Sequence, residues 1–301
     1  MSSSQATSQL KRRFKGSLSA YLFLAPALFF FSTFVLYPML KGLALSMYRF
    51  RGRNEHFTGL ANYQSIFTDD VFLRAVFNTL CITALAVPIV VCLSLFVAMN
   101  IYKMQPSARS FYRGVFYLPA ISSVVSVTVV WAWIYHPQYG ILNYFFKSIG
   151  VLGENVDWLG SSHTALFCII AILITTSIGQ PIILYVASLG NVPSSYIEAA
   201  KIDGAGPWRI FFSVILPLVK PTTLYIVVVT TINSFQIFAL IQLLTAGGPN
   251  YKTTTVMYLI YERAIGFGDY GRASAMGVVL ALVIASISLL QFKFLSSDVE
   301  Y

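Results

Sequence analysis

Six stretches of this chain contain no Asp, Glu, Lys or Arg: 16–40, 75–102, 114–146, 158–197, 221–251 and 273–292. Each is long enough to supply the roughly 20 apolar residues that cross a bilayer core. Backbone polar groups in lipid must be satisfied within the protein, which leaves helices or closed barrels. Barrel strands read as short segments of alternating hydrophobicity. These runs are continuously apolar, so the expectation is an all-α integral membrane protein with six transmembrane helices. The predicted spans are about 17–45, 75–100, 114–135, 164–190, 218–243 and 273–294. Only 10% of the residues are charged and 57% are hydrophobic, against roughly 25% charged in soluble domains.

Lys11, Arg12, Arg13 and Lys15 precede the first apolar run. The h-region of a signal peptide is shorter than 18–40, so an uncleaved first helix is expected. The positive-inside rule then puts the N-terminus in the cytoplasm, and six spans return the C-terminus to the same side. Residues 1–15 and 296–301 are read as cytoplasmic tails flanking one membrane domain, 16–295. The outer segment 46–74 carries Arg49, Arg51, Arg53 and Arg74, so total loop charge adds little to the orientation. The net charge of +9 is explained by basic flanks rather than by nucleic acid. Cys81, Cys92 and Cys168 all fall inside predicted spans, which argues for packing rather than a disulfide framework. His56, His136 and His163 lie far apart in outer loops and suggest no metal centre.

Between the fourth and fifth spans lies the segment 191–217. Ser195-Tyr196-Ile197-Glu198 fits a capping box, with Ser195 as N-cap and Glu198 reaching back. Gly204 or Gly206 is suited to end that helix in a left-handed conformation. Pro207 suits the first turn of a second helix, and Pro217 and Pro221 are expected to bend or start the fifth span. The small residues Ala199, Ala200, Gly204, Ala205 and Gly206 leave room for a closely approaching partner.

This segment resembles the EAA loop of ABC importer permeases. The family pattern runs EAA, three residues, Gly, nine residues, Ile, one residue, Leu-Pro. Here it reads Glu198-Ala199-Ala200, Gly204, then Leu216-Pro217, with Val214 where isoleucine is usual. Further fragments look like carbohydrate permeases of the maltose and glycerol-phosphate type. They are Gly59-Leu60-x-Asn62-Tyr63, Asn78-Thr79, Tyr117-Leu118-Pro119, Trp131-x-Trp133, Tyr139-Gly140-x-Leu142-Asn143, Leu244-Thr245-x-Gly247-Gly248-Pro249 and Tyr270-Gly271-x-Ala273-Ser274-Ala275. The extra N-terminal helices and large external domain of the maltose subunit are missing. The resemblance implies the type I importer fold with both termini inside. It implies that Glu198 pairs with a basic residue of an ATPase, with Ala199, Ala200, Asp203 and Gly204 as docking surface. Capping and docking are compatible roles for Glu198. The implied partners are a second permease, an ATPase dimer, an extracytoplasmic solute-binding protein and the lipid bilayer.

The chain contains no G-x-x-x-x-G-K-[ST] phosphate loop and no catalytic cluster. It is therefore read as a transport subunit, with no cofactor of its own and with ATP and Mg2+ held by the partner ATPase. No Asp, Glu, Lys or Arg interrupts the six apolar stretches, which argues against a proton-coupled carrier. A neutral sugar or polyol needs hydrogen-bonding groups and apolar faces. Ser177, Gly179, Gln180, Ile182, Ser234 and Ile237 align with sugar contacts of the maltose permease. Asn233 and Gln236, three apart, are expected on one helical face, with Phe235 and Phe238 available for stacking. The bland alternative is that these amides join helices to one another. Rival readings are an ABC permease for a non-sugar solute, an ion-coupled carrier and a membrane enzyme.

Overall fold

The computed structural model describes residues 21–51 and 54–295. Lys11, Arg12, Arg13 and Lys15, both expected tails and the start of the first span lie outside the described residues. Helix α1 covers Tyr21–Leu45 and contains a π-helical turn at Ser32–Leu36. A two-stranded antiparallel hairpin follows, β1 (Tyr48–Arg51) and β2 (Asn54–Phe57), then helix α2 (Ala61–Phe67). Next come α3 (Asp70–Tyr102), α4 (Pro106–Ile121), α5 (Val124–Ile134) and α6 (Ile141–Ser148). They are followed by α7 (Ala165–Ser177), α8 (Gly179–Gly190), α9 (Ser194–Ile202) and α10 (Pro207–Leu218). The chain closes with α11 (Lys220–Phe235), α12 (Ala239–Leu244), α13 (Val256–Tyr261) and α14 (Tyr270–Leu295).

Three of these helices, α1, α3 and α14, are long and apolar enough to cross a membrane alone. Three bent pairs pass the same test together, which makes six spans when each pair counts as one. The bend expected of the fifth span is present, and the third and fourth spans are bent as well. The α4–α5 pair turns through 96°, α7–α8 through 43° and α10–α11 through 68°. Pro181 and Pro221 explain two of them. Each lacks the N–H that would bond four residues back, and its ring crowds that carbonyl. The third span also starts earlier than expected, because Pro106 occupies the first turn of α4 rather than a loop.

The fifth span is broken again at residues 236–238, between α11 and α12. No glycine or proline marks this break. The Ile237 carbonyl instead accepts the Thr255 hydroxyl at 2.9 Å. A side chain 18 residues away thus satisfies a backbone group that the helix would have used.

Helix α3 forms the axis of the fold, packing against α7, α8 and α11. Asp69 fixes its start by accepting from the Val71 N–H at 2.9 Å, and pairs with Arg263 at 3.2 Å. Around it lie three apolar clusters. One joins Ile82, Ile169, Ile172 and Ile241. The second joins Val90, Ile182, Tyr185 and Ile226, and the third Phe72, Phe235, Leu259 and Met276. By contrast, α1 buries almost nothing and touches mainly α14.

At the hairpin end, buried polar side chains lock the loops. Asn62 donates from Nδ2 to the Ser46 and Tyr48 carbonyls, each at 2.8 Å. Asn78, on α3, donates to the Tyr251 and Thr254 carbonyls, each at 2.9 Å. The neighbouring Thr79 Oγ1 accepts from the Val256 N–H at 3.1 Å. The Gly- and Pro-containing segment 246–251 forms a turn. Gly247 there has φ of 80°, and Gly248-Pro249 is cis.

The Asn78→Leu variant should therefore lose stability. The Thr254 carbonyl would be left buried without a donor, at about 1–3 kcal/mol, while the Tyr251 carbonyl, in an exposed residue, can turn to water. Thermal unfolding of the purified protein reads this directly, and an unchanged midpoint would show that the 246–255 loop is held by other contacts.

Candidate functional site

Two regions carry the candidate residues, and α10–α11 joins them. The first is the α9–α10 segment. Helix α9 starts at Ser194, with Pro193 as N-cap and no side-chain cap. This corrects the expected capping box. Ser195 already lies within the first turn, so its backbone is helical and its hydroxyl is not placed to cap. Glu198 sits in the second turn, and no hydrogen bond to it is found among the described residues.

The end of α9 is tightly specified. The Gly204 N–H donates to the Lys201 carbonyl at 3.0 Å and the Ala205 N–H to the Ala200 carbonyl at 2.9 Å. This paired pattern, with Gly204 at φ 74°, is the left-handed terminator that glycine adopts without steric cost. Gly206 is extended, and Pro207 opens α10.

Glu198, Ala199, Asp203 and Gly204 are exposed, while Ala200 is half-buried. Ser195, Glu198, Ala199 and Ile202 follow the three- and four-residue spacing that shares one helix face, and all four are exposed. Ile202 is 87% exposed and Trp208 75%. The α9 face thus presents a carboxylate beside an alanine and a bare isoleucine.

The second region is a cavity of about 190 Å3 among α4, α7–α8 and α11. Thr176, Ser177, Gln180, Tyr225, Thr230 and Asn233 supply its polar groups, and none of its lining residues is charged. Sequence reasoning found Ser177, Gln180 and Asn233, which the fold brings together. An adjoining groove lined by Trp131, Ser126 and Ser122 shares Thr176 with this cavity and continues it along the α4–α5 bend. Thr176 itself donates to the Ile172 carbonyl at 2.9 Å.

The other expected pathway residues are elsewhere. Ser234 is fully buried, with its hydroxyl unpartnered. Ile182 and Ile237 belong to the apolar clusters. Gly179 is a packing residue, since a Cβ there would stand 2.5 Å from the Phe116 carbonyl oxygen. Gln236 caps the end of α11 and does not share the cavity with Asn233. Of the expected stacking rings, Phe235 is buried against α14 and Phe238 packs on Tyr261 with centroids 4.8 Å apart.

The rings that do line the cavity and groove are Tyr225 and Trp131. Tyr225 was legible in principle. With Val229 and Asn233 it forms a stripe at four-residue spacing on α11. Trp131 depends on the α4–α5 bend, for which Pro119 near the end of α4 is a local signal, though not of its size.

A helical membrane domain with an uncharged polar cavity among bent helices, joined to an exposed helical segment, defines a transport protein of the permease class. Residues 66–297 match the family described as binding-protein-dependent transport system inner membrane component, and the chain belongs to that family. It is 32% identical to the lactose transport system permease protein LacF of Rhizobium radiobacter, covering 95% of this chain and 96% of that protein. Identity to the sn-glycerol-3-phosphate transport system permease protein UgpA of Yersinia enterocolitica is 31%, covering 96% and 97%. Among solved structures it is similar to a bacterial ABC transporter involved in import of the acidic polysaccharide alginate. The TM-score is 0.82 at 24% identity, covering 95% of this chain and 98% of that one. A second structure of an alginate transporter, bound to its periplasmic protein, gives a TM-score of 0.81 at 24% identity over 94% and 96%. The fold is that of an ABC importer permease.

Proposed function

We propose that this chain is one of two permease subunits of an ATP-driven importer for a sugar or polyol. The observation that carries this reading is continuity. The exposed α9 face turns at Gly204 into α10, which bends directly into α11, the helix that presents Tyr225 and Asn233 to the cavity. Motion of a docked ATPase thus has a short covalent route to the substrate groups.

The expected assembly is a second permease beside this one, an ATPase dimer beneath both, and a solute-binding protein on the outer face. ATP and Mg2+ belong to the ATPase, and both termini of this chain are cytoplasmic. ATP binding would draw the ATPases together, shift α9 through Glu198 and turn the cavity outward. Ala199, Ala200, Asp203 and Gly204 supply the surface on which α9 seats. The names of the lactose and glycerol-phosphate relatives support a small polyhydroxylated substrate. The uncharged cavity favours a neutral one, because an anion held there would need a cationic partner.

Uptake in proteoliposomes of the assembled complex, with and without ATP, tests the reading against an ion-coupled carrier. A panel of labelled sugars, polyols, their phosphates and amino acids tests the substrate class. Within that panel, Asn233→Leu should weaken uptake of the preferred sugar by about tenfold, the worth of one lost hydrogen bond to a neutral ligand. Assembly should be unchanged, since Asn233 is exposed to the cavity and no hydrogen bond to it is found among the described residues. Loss of assembly with specificity intact would instead make Asn233 a helix-joining amide.

A further inference from the structure

We propose that a lateral groove between α3 and α10 holds an anionic phospholipid of the cytoplasmic leaflet, with its headgroup at Lys103. The groove has a volume of about 420 Å3, more than twice that of the polar cavity. One wall is the α3 stripe Cys92, Phe96 and Met99, ending at Lys103. The other is Trp208 and Phe211 of α10. The proposal rests on the cytoplasmic placement of the α9–α10 segment given above.

Depth decides what can occupy it. Cys92 through Met99 lie within the charge-free stretch 75–102, inside the bilayer, where a water-soluble ATPase does not reach. From Cys92 to Lys103 the helix rises about 16 Å, close to half of the roughly 30 Å hydrocarbon thickness. The stripe therefore matches one leaflet. Apart from Asn100, whose amide donates to the Phe96 carbonyl at 2.8 Å, the walls below Lys103 are apolar, as an acyl chain requires, and Phe96 is 66% exposed.

The polar end is equally selective. Lys103 is exposed just past the end of α3, with no ion-pair partner among the described residues. A lysine at the headgroup level with its stem along apolar surface is the usual snorkelling arrangement. Trp208, exposed beside it, has the amphipathic ring that favours the membrane interface. One cation above an apolar slot is complementary to an anionic amphiphile rather than to a neutral helix.

Such a lipid would also brace the segment that follows the Gly204 turn. Trp208 sits one turn of chain from the docking surface and stacks on Phe212 with ring centroids 6.2 Å apart. Filling the groove would hold α10 against α3, so that motion of α9 passes into α11 rather than being lost at α10.

The test uses the whole transporter complex, purified and analysed by native mass spectrometry, and reconstituted in phosphatidylcholine nanodiscs with increasing phosphatidylglycerol. Wild type is expected to retain phosphatidylglycerol in preference to phosphatidylcholine. Lys103→Gln should weaken that retention about fivefold, the effect of one basic residue near an anionic surface, while Lys103→Arg keeps it. Met99→Trp, which fills the slot and leaves the cation, should also expel the lipid. Equal retention of both lipids by wild type, or retention untouched by Lys103→Gln and Met99→Trp, overturns the proposal. So does crosslinking of Cys92 to the second permease, which would mean that protein fills the groove. Retention is read by mass and does not depend on transport. ATP-driven uptake with no lipid preference would sink the groove alone, whereas no uptake in any lipid would sink the transport reading alone.

Discussion

Uptake by the Glu198→Lys variant is expected to fall to background, a loss on the order of 100-fold, as for truncation or reversal of a charge buried in an interface. The physical case rests on what Glu198 does not do in the isolated chain. It caps nothing, being in the second turn of α9, and it is exposed. Lysine has nearly the same helix propensity as glutamate. The substitution should therefore leave α9, the Gly204 terminator and membrane abundance as they are. Its effect is confined to a docked partner, where a cation would face the basic residue that Glu198 is proposed to meet. Measured uptake should vanish while the chain is still inserted in normal amounts, and the ATPase should no longer co-purify. Reversing the charge of the facing ATPase residue should restore part of both. Normal uptake by Glu198→Lys would remove the coupling role altogether.

The spans were legible because lipid imposes a simple rule on composition. A stretch without charge is cheap to place in the bilayer, and a charged residue at its centre costs several kcal/mol. The bends were less legible. Pro181 and Pro221 permit a bend, but its size follows from what packs on either side. The break at residues 236–238 has no local signal, because the Thr255 hydroxyl that satisfies Ile237 comes from the far side of the 246–251 turn. The hairpin at 48–57 was also unseen, lying among charged residues that read as loop.

The candidate site divides in the same way. The α9–α10 segment was readable because its signal is local: a glycine at the left-handed position and a proline opening the next helix. The cavity draws on α4, α7–α8 and α11, so membership depends on helix phase. Asn233 and Ser234 are neighbours in sequence, yet one faces the cavity and the other is sealed in the core. Many of the short fragments that carried the family resemblance proved to be locks rather than substrate groups. Asn62, Asn78 and Thr79 fasten loops at the hairpin end. Asn143 does so too, donating to the Pro137 and Val156 carbonyls and accepting from the Trp158 indole.

Gly271→Val should be the most destabilising single change at that end, by about 3 kcal/mol or more. Gly271 lies in the first turn of α14, where a Cβ would run into the Tyr48 carbonyl oxygen and stand 3.0 Å from the Asn62 Nδ2. The carbonyl is backbone, and it is held in place as an acceptor for Asn62 at 2.8 Å. It has no rotamer to escape into. Two outcomes remain, and each is costly. Either α14 moves away from the hairpin, giving up the packing of Ala275 and Met276 in the third cluster, or Tyr48 shifts and Asn62 loses its buried bond. Overpacking alone costs about 1–3 kcal/mol, and an unsatisfied buried amide adds about 1–3. Gly277→Ala supplies the control on the same helix. A Cβ there would meet nothing within 4 Å, and alanine in a helix interior gains roughly 0.5–1 kcal/mol over glycine. Thermal unfolding of the two variants in one detergent should thus shift in opposite directions. If Gly271→Val melts with wild type, α14 is not held by close contact with the hairpin, and the glycine in Tyr270-Gly271 must serve something other than packing.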